Sequence, residues 1–150
     1  MKLKIFEKGF NYSQDGAGNR LVYHLQGCNM RCPWCANPEG MSQTPPLFVS
    51  ENRLIDSVCP YGAVHDRRLD RSVCKACSDR PCVTVNRNQG ITCKCQTPEL
   101  DEVLAEVKKS APMFFDGGGV TLTGGEPTQQ FEAVKELLTR LKSEGIHTAI

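Results

Sequence analysis

The organisation of this chain rests on one short run of residues, Gly27-Cys28-Asn29-Met30-Arg31-Cys32-Pro33-Trp34-Cys35. It places three thiols within eight residues, in the pattern Cys-x3-Cys-x2-Cys. Thiolate is a soft ligand that selects iron–sulfur clusters, zinc or copper(I). A 4Fe–4S cluster normally takes four cysteines, so three on one loop leave one iron open for another ligand. The alternative is a zinc knuckle completed by a distant fourth ligand.

Composition narrows the class of protein. The chain has 150 residues and a formal charge of +1, which indicates one modest domain, or a domain with an insertion, and gives no electrostatic case for binding nucleic acid or an acidic membrane surface. No apolar run approaches the roughly 18 residues of a membrane span, and Glu7 and Lys8 interrupt any signal-peptide core. We therefore expect a cytoplasmic protein, where nine cysteines favour metal binding over disulfides.

A strand is predicted immediately before the cysteine loop. Residues 21–25 are apolar on both faces, as expected of a strand in the interior of a sheet. His24 lies inside this strand and is interpreted as a packed, hydrogen-bonded histidine. Residues 9–20 are predicted to form a loop, because Asp15-Gly16 and Gly18-Asn19 are turn formers.

Two amphipathic helices are predicted in the last third of the chain. The first is capped by Thr97, with Pro98 in its first turn, and the second is capped by Thr128 and ended by Gly145. Their inward stripes are Leu100, Val103, Leu104 and Val107 in the first helix, and Phe131, Val134, Leu137, Leu138 and Leu141 in the second. Strands are predicted at 120–123 and 146–150.

The second sequence motif is Gly124-Gly125-Glu126-Pro127, which follows the strand at 120–123. Two glycines let the backbone approach a ligand closely, and Glu126 offers a carboxylate to an ammonium group. Strands that alternate with helices pair in parallel, and ligands bind beyond their carboxyl ends. The cysteine loop and this motif are therefore expected at the same edge of the sheet.

Residues 40–96 hold the other six cysteines and little helical periodicity. Cys59-Pro60 resembles the closing Cys-Pro of a bacterial ferredoxin motif, and Cys74, Cys77 and Cys82 would supply three further ligands of one auxiliary 4Fe–4S cluster. A zinc ribbon is the competing interpretation, with the ligands Cys74, Cys77, Cys93 and Cys95. If the cluster interpretation holds, Cys93 and Cys95 bind no metal, or one of them replaces Cys82 as a ligand. Either metal would act as the core of so polar a segment.

The combination of motifs resembles a known family. Cys-x3-Cys-x2-Cys with an aromatic residue before the last cysteine, together with Gly-Gly-Glu-Pro, is similar to the radical S-adenosylmethionine (SAM) enzymes. Residues 25–28 and 34–39 further resemble the activating enzymes of glycyl radical enzymes, the pyruvate formate-lyase activating enzyme-like family. The resemblance implies an α/β fold, a partial radical SAM (β/α) barrel over 1–39 and 97–150, with a ferredoxin-like iron–sulfur insert over 40–96. The full barrel has more strands than are predicted here, so the sequence is expected to be the amino-terminal part of an activase, which binds SAM weakly and does not by itself install a glycyl radical on a partner.

The resemblance also implies a reaction and its site residues. One electron from a 4Fe–4S cluster on Cys28, Cys32 and Cys35 cleaves SAM, and the 5′-deoxyadenosyl radical takes hydrogen from a backbone glycine of a partner enzyme. Glu126, with its neighbours Gly124, Gly125 and Pro127, would hold the methionine amino group. Trp34 would stack on the adenine, or else shield the cluster as a hydrophobic plug.

Two further implications concern partners. Asp15 and Arg20 match an Asp-Gly-x-Gly-x-Arg element that would lie beside the entry of the partner's glycine loop, whereas the residues alone indicate a surface turn. The auxiliary cluster would pass electrons inward from a flavodoxin- or ferredoxin-type donor. The alternative function is an electron-transfer or metal-binding module, with iron–sulfur or zinc, that has no turnover.

Overall fold

The structure, a computed structural model, describes residues 1–74, 77, 79–84 and 90–150. Within them the strands are β1 (Ile5–Tyr12), β2 (Asn19–Leu25), β3 (Phe48–Val49), β4 (Val64–His65), β5 (Arg68–Leu69), β6 (Ile91–Thr92), β7 (Gly119–Gly124) and β8 (Thr148–Ala149). The α-helices are α1 (Arg71–Cys74), α2 (Pro81–Thr84), α3 (Leu100–Ser110) and α4 (Phe131–Ser143). Short 3-10 turns occupy Pro38–Gly40, Glu51–Arg53, Asp56–Val58, Ala111–Met113 and Pro127–Gln130.

The described chain divides into two compact units. The sheet unit comprises Met1–Pro45 and Cys95–Ile150, and the cysteine-rich unit comprises Pro46–Lys94. Helices and strands alternate in the sheet unit, which confirms the predicted α/β class. A partial barrel and a ferredoxin-like insert stay predictions.

The sheet unit is built on four strands in the order β1-β2-β7-β8. β1 is antiparallel to β2, whereas β2, β7 and β8 are mutually parallel. The register places Leu25 opposite Gly124. The segments that follow β2 and β7 therefore leave the sheet at the same edge.

Both long helices pack on one face of this sheet. Leu21, Tyr23 and Leu25 alternate along β2 toward α3 and α4, as the two-residue period of a strand requires. The predicted stripe of α3 is buried in full, at Leu100, Val103, Leu104 and Val107. Burial of each large apolar side chain contributes about 1.5–3 kcal/mol before entropy is counted.

The loop predicted over 9–20 is shorter than expected. β1 extends to Tyr12 and β2 begins at Asn19, which leaves only residues 13–18 as the turn. Gly9 pairs with Val22 and Tyr12 with Asn19 in antiparallel register. The turn-forming residues between them led to the prediction of a longer loop. His24 packs against the ring of Phe6 at 5.7 Å as predicted, but its Nδ1 has no hydrogen-bond partner among the described residues.

Both helix starts were predicted too early. α3 begins at Leu100 with Glu99 as its cap, because residues 96–98 bond to the start of the chain instead: Ile5 N donates to Gln96 O at 2.9 Å and Leu3 N to Pro98 O at 3.1 Å. α4 begins at Phe131, after the 3-10 turn.

The inward stripe of α4 is confirmed except at its first position. Val134, Leu137 and Leu141 are buried and Leu138 is partly buried, but Phe131 is 55% exposed and Ala133 is buried. Gly145 follows the helix with φ of +71°, as a glycine after a helix end commonly does. The third parallel strand is confined to Thr148–Ala149 of the predicted 146–150.

The cysteine-rich unit has a small apolar core. Leu47, Leu54, Val58, Val64 and Ile91 are buried there together with Cys82. Its strands form two short antiparallel pairs, β3 with β6 and β4 with β5. No helix in the described part of the chain is both long enough and apolar enough to span a membrane.

Candidate active site

The cysteine loop is closed at its base and open at its thiols. Gly27 N donates to Gly40 O at 2.7 Å, and Cys28 N donates to Met41 O at 3.0 Å. Cys28 and Cys32 are half-buried and Cys35 is exposed. Within the loop, Cys35 N donates to Cys32 O at 3.1 Å and Met30 N points to Cys28 Sγ at 3.4 Å. Three thiols are thus held on a loop with an anchored base and remain accessible to a ligand.

The Gly-Gly-Glu-Pro motif bonds directly to the base of this loop. Gly125 N donates to Leu25 O at 2.8 Å, and Glu126 N donates to Gly27 O at 2.9 Å. These two backbone bonds continue the pairing of β2 with β7 beyond the last strand residues. The structure therefore brings the two motifs together at the edge where the strand order predicted them.

The two glycines are required by close contacts with the end of β2 and the base of the cysteine loop. A Cβ at Gly125 would lie 2.3 Å from Gly27 O, and one at Gly124 would lie 2.6 Å from the Cβ of His24. Gly124 also has φ of +94°, which disfavours other residues. Close packing of backbone on backbone explains both glycines, and their approach to a ligand stays a prediction.

Glu126 is held by the turn that follows it. Its Oε1 accepts hydrogen bonds from Thr128 N at 3.0 Å and from Thr128 Oγ1 at 2.6 Å, so Glu126 caps the turn Pro127–Gln130. Its other carboxylate oxygen has no hydrogen bond from the described residues. A half-buried carboxylate with one oxygen oriented and the other available is suited to an ammonium ligand.

Apolar side chains lie exposed around the three thiols. Trp34 is 82% exposed and Met30 is 48% exposed. Large apolar side chains at this exposure beside convergent polar groups are typical of ligand sites. The donor set of three thiols with apolar neighbours fits a 4Fe–4S cluster. Stacking of Trp34 on an adenine, or over the cluster, stays a prediction.

A second group of cysteines lies in the cysteine-rich unit. Cys59, Cys74, Cys77 and Cys82 line one small cavity, together with Leu47, Pro60, Tyr61, Ala63, Val73, Arg80 and Pro81. Burial raises the pKa of the Cys74 and Cys82 thiols, and the charges of the neighbouring cysteines raise both further. Four thiols around one apolar cavity fit the predicted ligand set of an auxiliary cluster.

The remaining cysteines lie elsewhere. Cys93 packs beside the core of the cysteine-rich unit, and Cys95 belongs to the sheet unit. Neither is among the residues that line the cavity of the four cysteines. In the described part of the chain no three Cys, His, Asp or Glu side chains converge on a single metal ion. Cys59, Cys74, Cys77 and Cys82 line one cavity, and their ligation of a cluster stays a prediction.

Asp15 and Arg20 lie at the other end of β2. Arg20 is fully buried and donates to Thr121 Oγ1 at 2.6 Å and to Val120 O at 2.7 Å. Burial lowers the pKa of Arg20, and the charge of Asp15 opposes that shift. A strand rises about 3.3 Å per residue, so the length of β2 separates both from the cysteine loop. Their position beside the entry of a partner's glycine loop stays a prediction.

Sequence reasoning missed several supporting side chains. Asp79 accepts hydrogen bonds from Cys77 Sγ at 3.3 Å and Tyr61 Oη at 2.9 Å, beside the cavity of the four cysteines. Thr128 was interpreted only as a helix cap, yet it orients Glu126. The sequence could have indicated both side chains, because Asp79 lies two positions after Cys77 and Thr128 lies two positions after Glu126.

Comparison with known proteins identifies the family of these motifs. The profile of the family described as the Radical SAM superfamily matches residues 22–150. The isethionate sulfite-lyase activating enzyme of Desulfovibrio desulfuricans is 35% identical over 150 residues, which cover 91% of this chain and 48% of that protein. The 4-hydroxyphenylacetate decarboxylase activating enzyme of Clostridioides difficile is 32% identical over 149 residues, covering 91% and 47%.

A third relative aligns with the whole chain. The indoleacetate decarboxylase activating enzyme of Tractidigestivibacter scatoligenes is 29% identical over 167 aligned residues, which cover 100% of this chain and 53% of that protein. The chain spans about half the length of the curated relatives it matches.

Proposed function

The chain belongs to the radical SAM superfamily, and from this membership we propose that it carries the cluster and SAM sites of an activating enzyme for a glycyl radical enzyme. One observation carries the proposal. The bonds from Gly125 N to Leu25 O and from Glu126 N to Gly27 O join the SAM-type motif to the base of the cysteine loop. A ligand held by Glu126 would therefore lie next to the base of the cysteine loop.

The residues have separate roles in this proposal. Cys28, Cys32 and Cys35 hold three irons of a 4Fe–4S cluster. Glu126 accepts the methionine ammonium through its free oxygen, while Thr128 orients the carboxylate. Trp34 covers the adenine and excludes water. No acid–base pair is assigned.

The bound cluster and SAM would supply the redox chemistry. When bound, the cluster would supply the electron for reductive cleavage of SAM, and the radical chemistry that follows would be directed at a backbone glycine of the partner enzyme. The protein contributes ligation, placement and a dry site.

We assign an auxiliary 4Fe–4S cluster to Cys59, Cys74, Cys77 and Cys82. Their shared cavity supports this set over the zinc ribbon with Cys93 and Cys95. A cluster there would relay electrons from a flavodoxin- or ferredoxin-type donor. Reduced thiolate ligands are compatible with a cytoplasmic location.

The partner class is proposed from the names of the relatives. Each is an activating enzyme, of isethionate sulfite-lyase, 4-hydroxyphenylacetate decarboxylase or indoleacetate decarboxylase. We propose that the partner here is likewise a glycyl radical enzyme.

The test is anaerobic reconstitution with iron and sulfide, followed by electron paramagnetic resonance (EPR) spectra of the reduced protein with and without SAM. We expect iron for two clusters, and a spectral change on adding SAM because SAM ligates the open iron. An electron-transfer module without turnover would bind iron but show no change with SAM. An iron-free, zinc-loaded protein would rule out the proposal.

A further inference from the structure

The side chain of Gln130 joins two segments of the sheet unit to the turn that follows Glu126. Its Oε1 accepts from Lys4 N at 2.8 Å, and its Nε2 donates to Lys4 O at 3.0 Å and to Gln26 O at 3.0 Å. Gln130 is the last residue of the 3-10 turn Pro127–Gln130. One amide therefore connects this turn to the start of β1 and to the residue immediately before Gly27.

Gln26 extends the same connection to the far side of the cysteine loop. Its side chain is fully buried, and its Nε2 donates to Glu39 O at 2.9 Å and to Ser42 O at 2.7 Å. Both partners are carbonyl oxygens, which identifies the nitrogen end of the amide. Gln26 N also donates to Lys4 O, the oxygen that Gln130 contacts. The two glutamines thus enclose the base of the cysteine loop.

We propose that Gln130 is a positioning residue for SAM, which sets the distance between Glu126 and the cysteine loop. This inference rests on the proposed function. One SAM molecule must reach Glu126 with its amino group and the open iron at the same time. Such double contacts need geometry within about 0.5 Å, and small misplacements weaken them strongly. The backbone bonds at Gly125 and Glu126 align the two loops, and Gln130 restrains the turn that orients the Glu126 carboxylate.

The location of Gln130 outside the apolar core indicates that its main contribution is to the position of the turn and not to folding of the sheet unit. It precedes α4 and is not part of the apolar core that holds the helices on the sheet. Gln129 offers a matched control, because it is the same residue type in the same turn. It is exposed, and its side chain bonds to the exposed side chain of Gln43 at 3.2 Å.

The experiment compares the reconstituted wild-type chain with Gln130→Glu, Gln130→Leu and Gln129→Leu. Gln130→Glu keeps an acceptor for Lys4 N and loses both donors, whereas Gln130→Leu loses all three bonds. The measurements are iron content, melting temperature, and SAM affinity from titration of the EPR spectrum of the reduced protein. We expect both Gln130 variants to bind SAM between about twofold and tenfold more weakly, with iron content and the EPR spectrum without SAM unchanged. Gln129→Leu loses only the exposed bond to Gln43 and should weaken SAM binding less than either Gln130 variant.

Two results would overturn the inference. Wild-type affinity for SAM in both Gln130 variants would show that the turn is held without this side chain. Loss of iron or a fall in melting temperature that accounts for the weaker binding in both variants would make the role structural. Failure of the proposed function is seen separately, because the wild-type spectrum itself would then not respond to SAM.

Discussion

The sheet unit keeps its cysteine loop outside its apolar core, whereas the cysteine-rich unit builds cysteines into its core. In the sheet unit the described core consists of side chains from β1, β2, α3, β7 and α4, with Leu3 before them, and Cys28, Cys32 and Cys35 are not part of it. In the cysteine-rich unit Cys82 is 6% exposed and lies in the core, and Cys59, Cys74 and Cys93 pack against it.

This difference implies two relations between metal and folding. A cluster on the cysteine loop would add chemistry to a unit that is already held by hydrocarbon packing. A cluster in the cysteine-rich unit would itself form a large part of the core, because that core contains few apolar side chains. Metal binding and folding are then one equilibrium in the second unit and separate in the first.

The largest effect is expected from loss of a thiol on the cysteine loop, where metal binding and folding should be separate. Cys35→Ala should abolish the SAM-dependent spectral change and SAM cleavage under dithionite, because the loop has no spare thiol. The melting temperature of the sheet unit should not change, since Cys35 is exposed. The control is Asn29→Ala, an exposed change on the same loop. Release of 5′-deoxyadenosine from the Cys35 variant at the wild-type rate would contradict the assignment.

The complementary substitution is in the cysteine-rich unit, where metal binding and folding should be one equilibrium. Cys82→Ala should remove one cluster's worth of iron and also the protection of the amides of β3, β4, β5 and β6 from hydrogen exchange, while β2 and β7 stay protected. The measurements are iron analysis and hydrogen exchange by mass spectrometry. Ser50→Ala serves as the control in the same unit, since the Ser50 side chain makes no capping bond. Full amide protection in an iron-depleted Cys82 variant would break the proposed coupling.

Packing in the sheet unit is tested by Leu137→Ala. Leu137 has 0% exposure in the core, and truncation of such a leucine costs about 2–5 kcal/mol of unfolding free energy. Denaturant titration should detect this loss in the apoprotein as well as in the iron-loaded protein. Phe131→Ala, on the same helix but 55% exposed, should change the unfolding free energy by less than about 0.5 kcal/mol. A Leu137 effect that depends on iron would mean that packing in the sheet unit is not independent of metal binding.

Glu126→Gln should weaken SAM binding without loss of iron. A charge-assisted contact is worth about 1.5–3 kcal/mol, which corresponds to roughly a tenfold to hundredfold loss of affinity. Titration of SAM against the reduced protein measures the change, and iron analysis is the control. If iron is lost with affinity, Glu126 supports the loop rather than the ligand.

The smallest effect at neutral pH is expected at Tyr23. Burial raises the pKa of Tyr23 well above its ordinary value of 10.0, and its hydrogen bond to Glu106 raises it further. Because the pKa of Tyr23 is higher in the folded state than in the unfolded chain, the protonated hydroxyl stabilises the fold fully at pH values below the unfolded-state pKa. This stabilisation declines as the pH rises above that pKa. Tyr23→Phe should cost about 0.5–1.5 kcal/mol at pH 7 through the lost hydrogen bond.

The variant should also lose less stability than the wild type on going to alkaline pH, because phenylalanine does not ionise. Denaturant titrations at pH 7 and above the ordinary tyrosine pKa compare the two proteins. Parallel pH dependence in both would show that Tyr23 is not the group responsible.

Much of the sheet unit follows from local sequence. Thiol spacing, strand periodicity and the stripe of α3 are local patterns, because ligand geometry and the periods of 2 and 3.6 residues act over a few positions. The order of strand, cysteine loop, strand and Gly-Gly-Glu-Pro therefore predicted that the two motifs share one edge, and the structure agrees.

Tertiary contacts decided the rest. Residues 9–12 were predicted as loop but pair with residues 19–22, since hydrogen bonds between strands outweigh local preference. The exposure of Phe131 and the burial of Arg20 depend on which elements pack against them. The bonds of Gln130 to Lys4 join residues 126 positions apart, a separation over which no local pattern carries information. Side-chain partners of that kind exist only once the sheet has brought the two ends of the chain together.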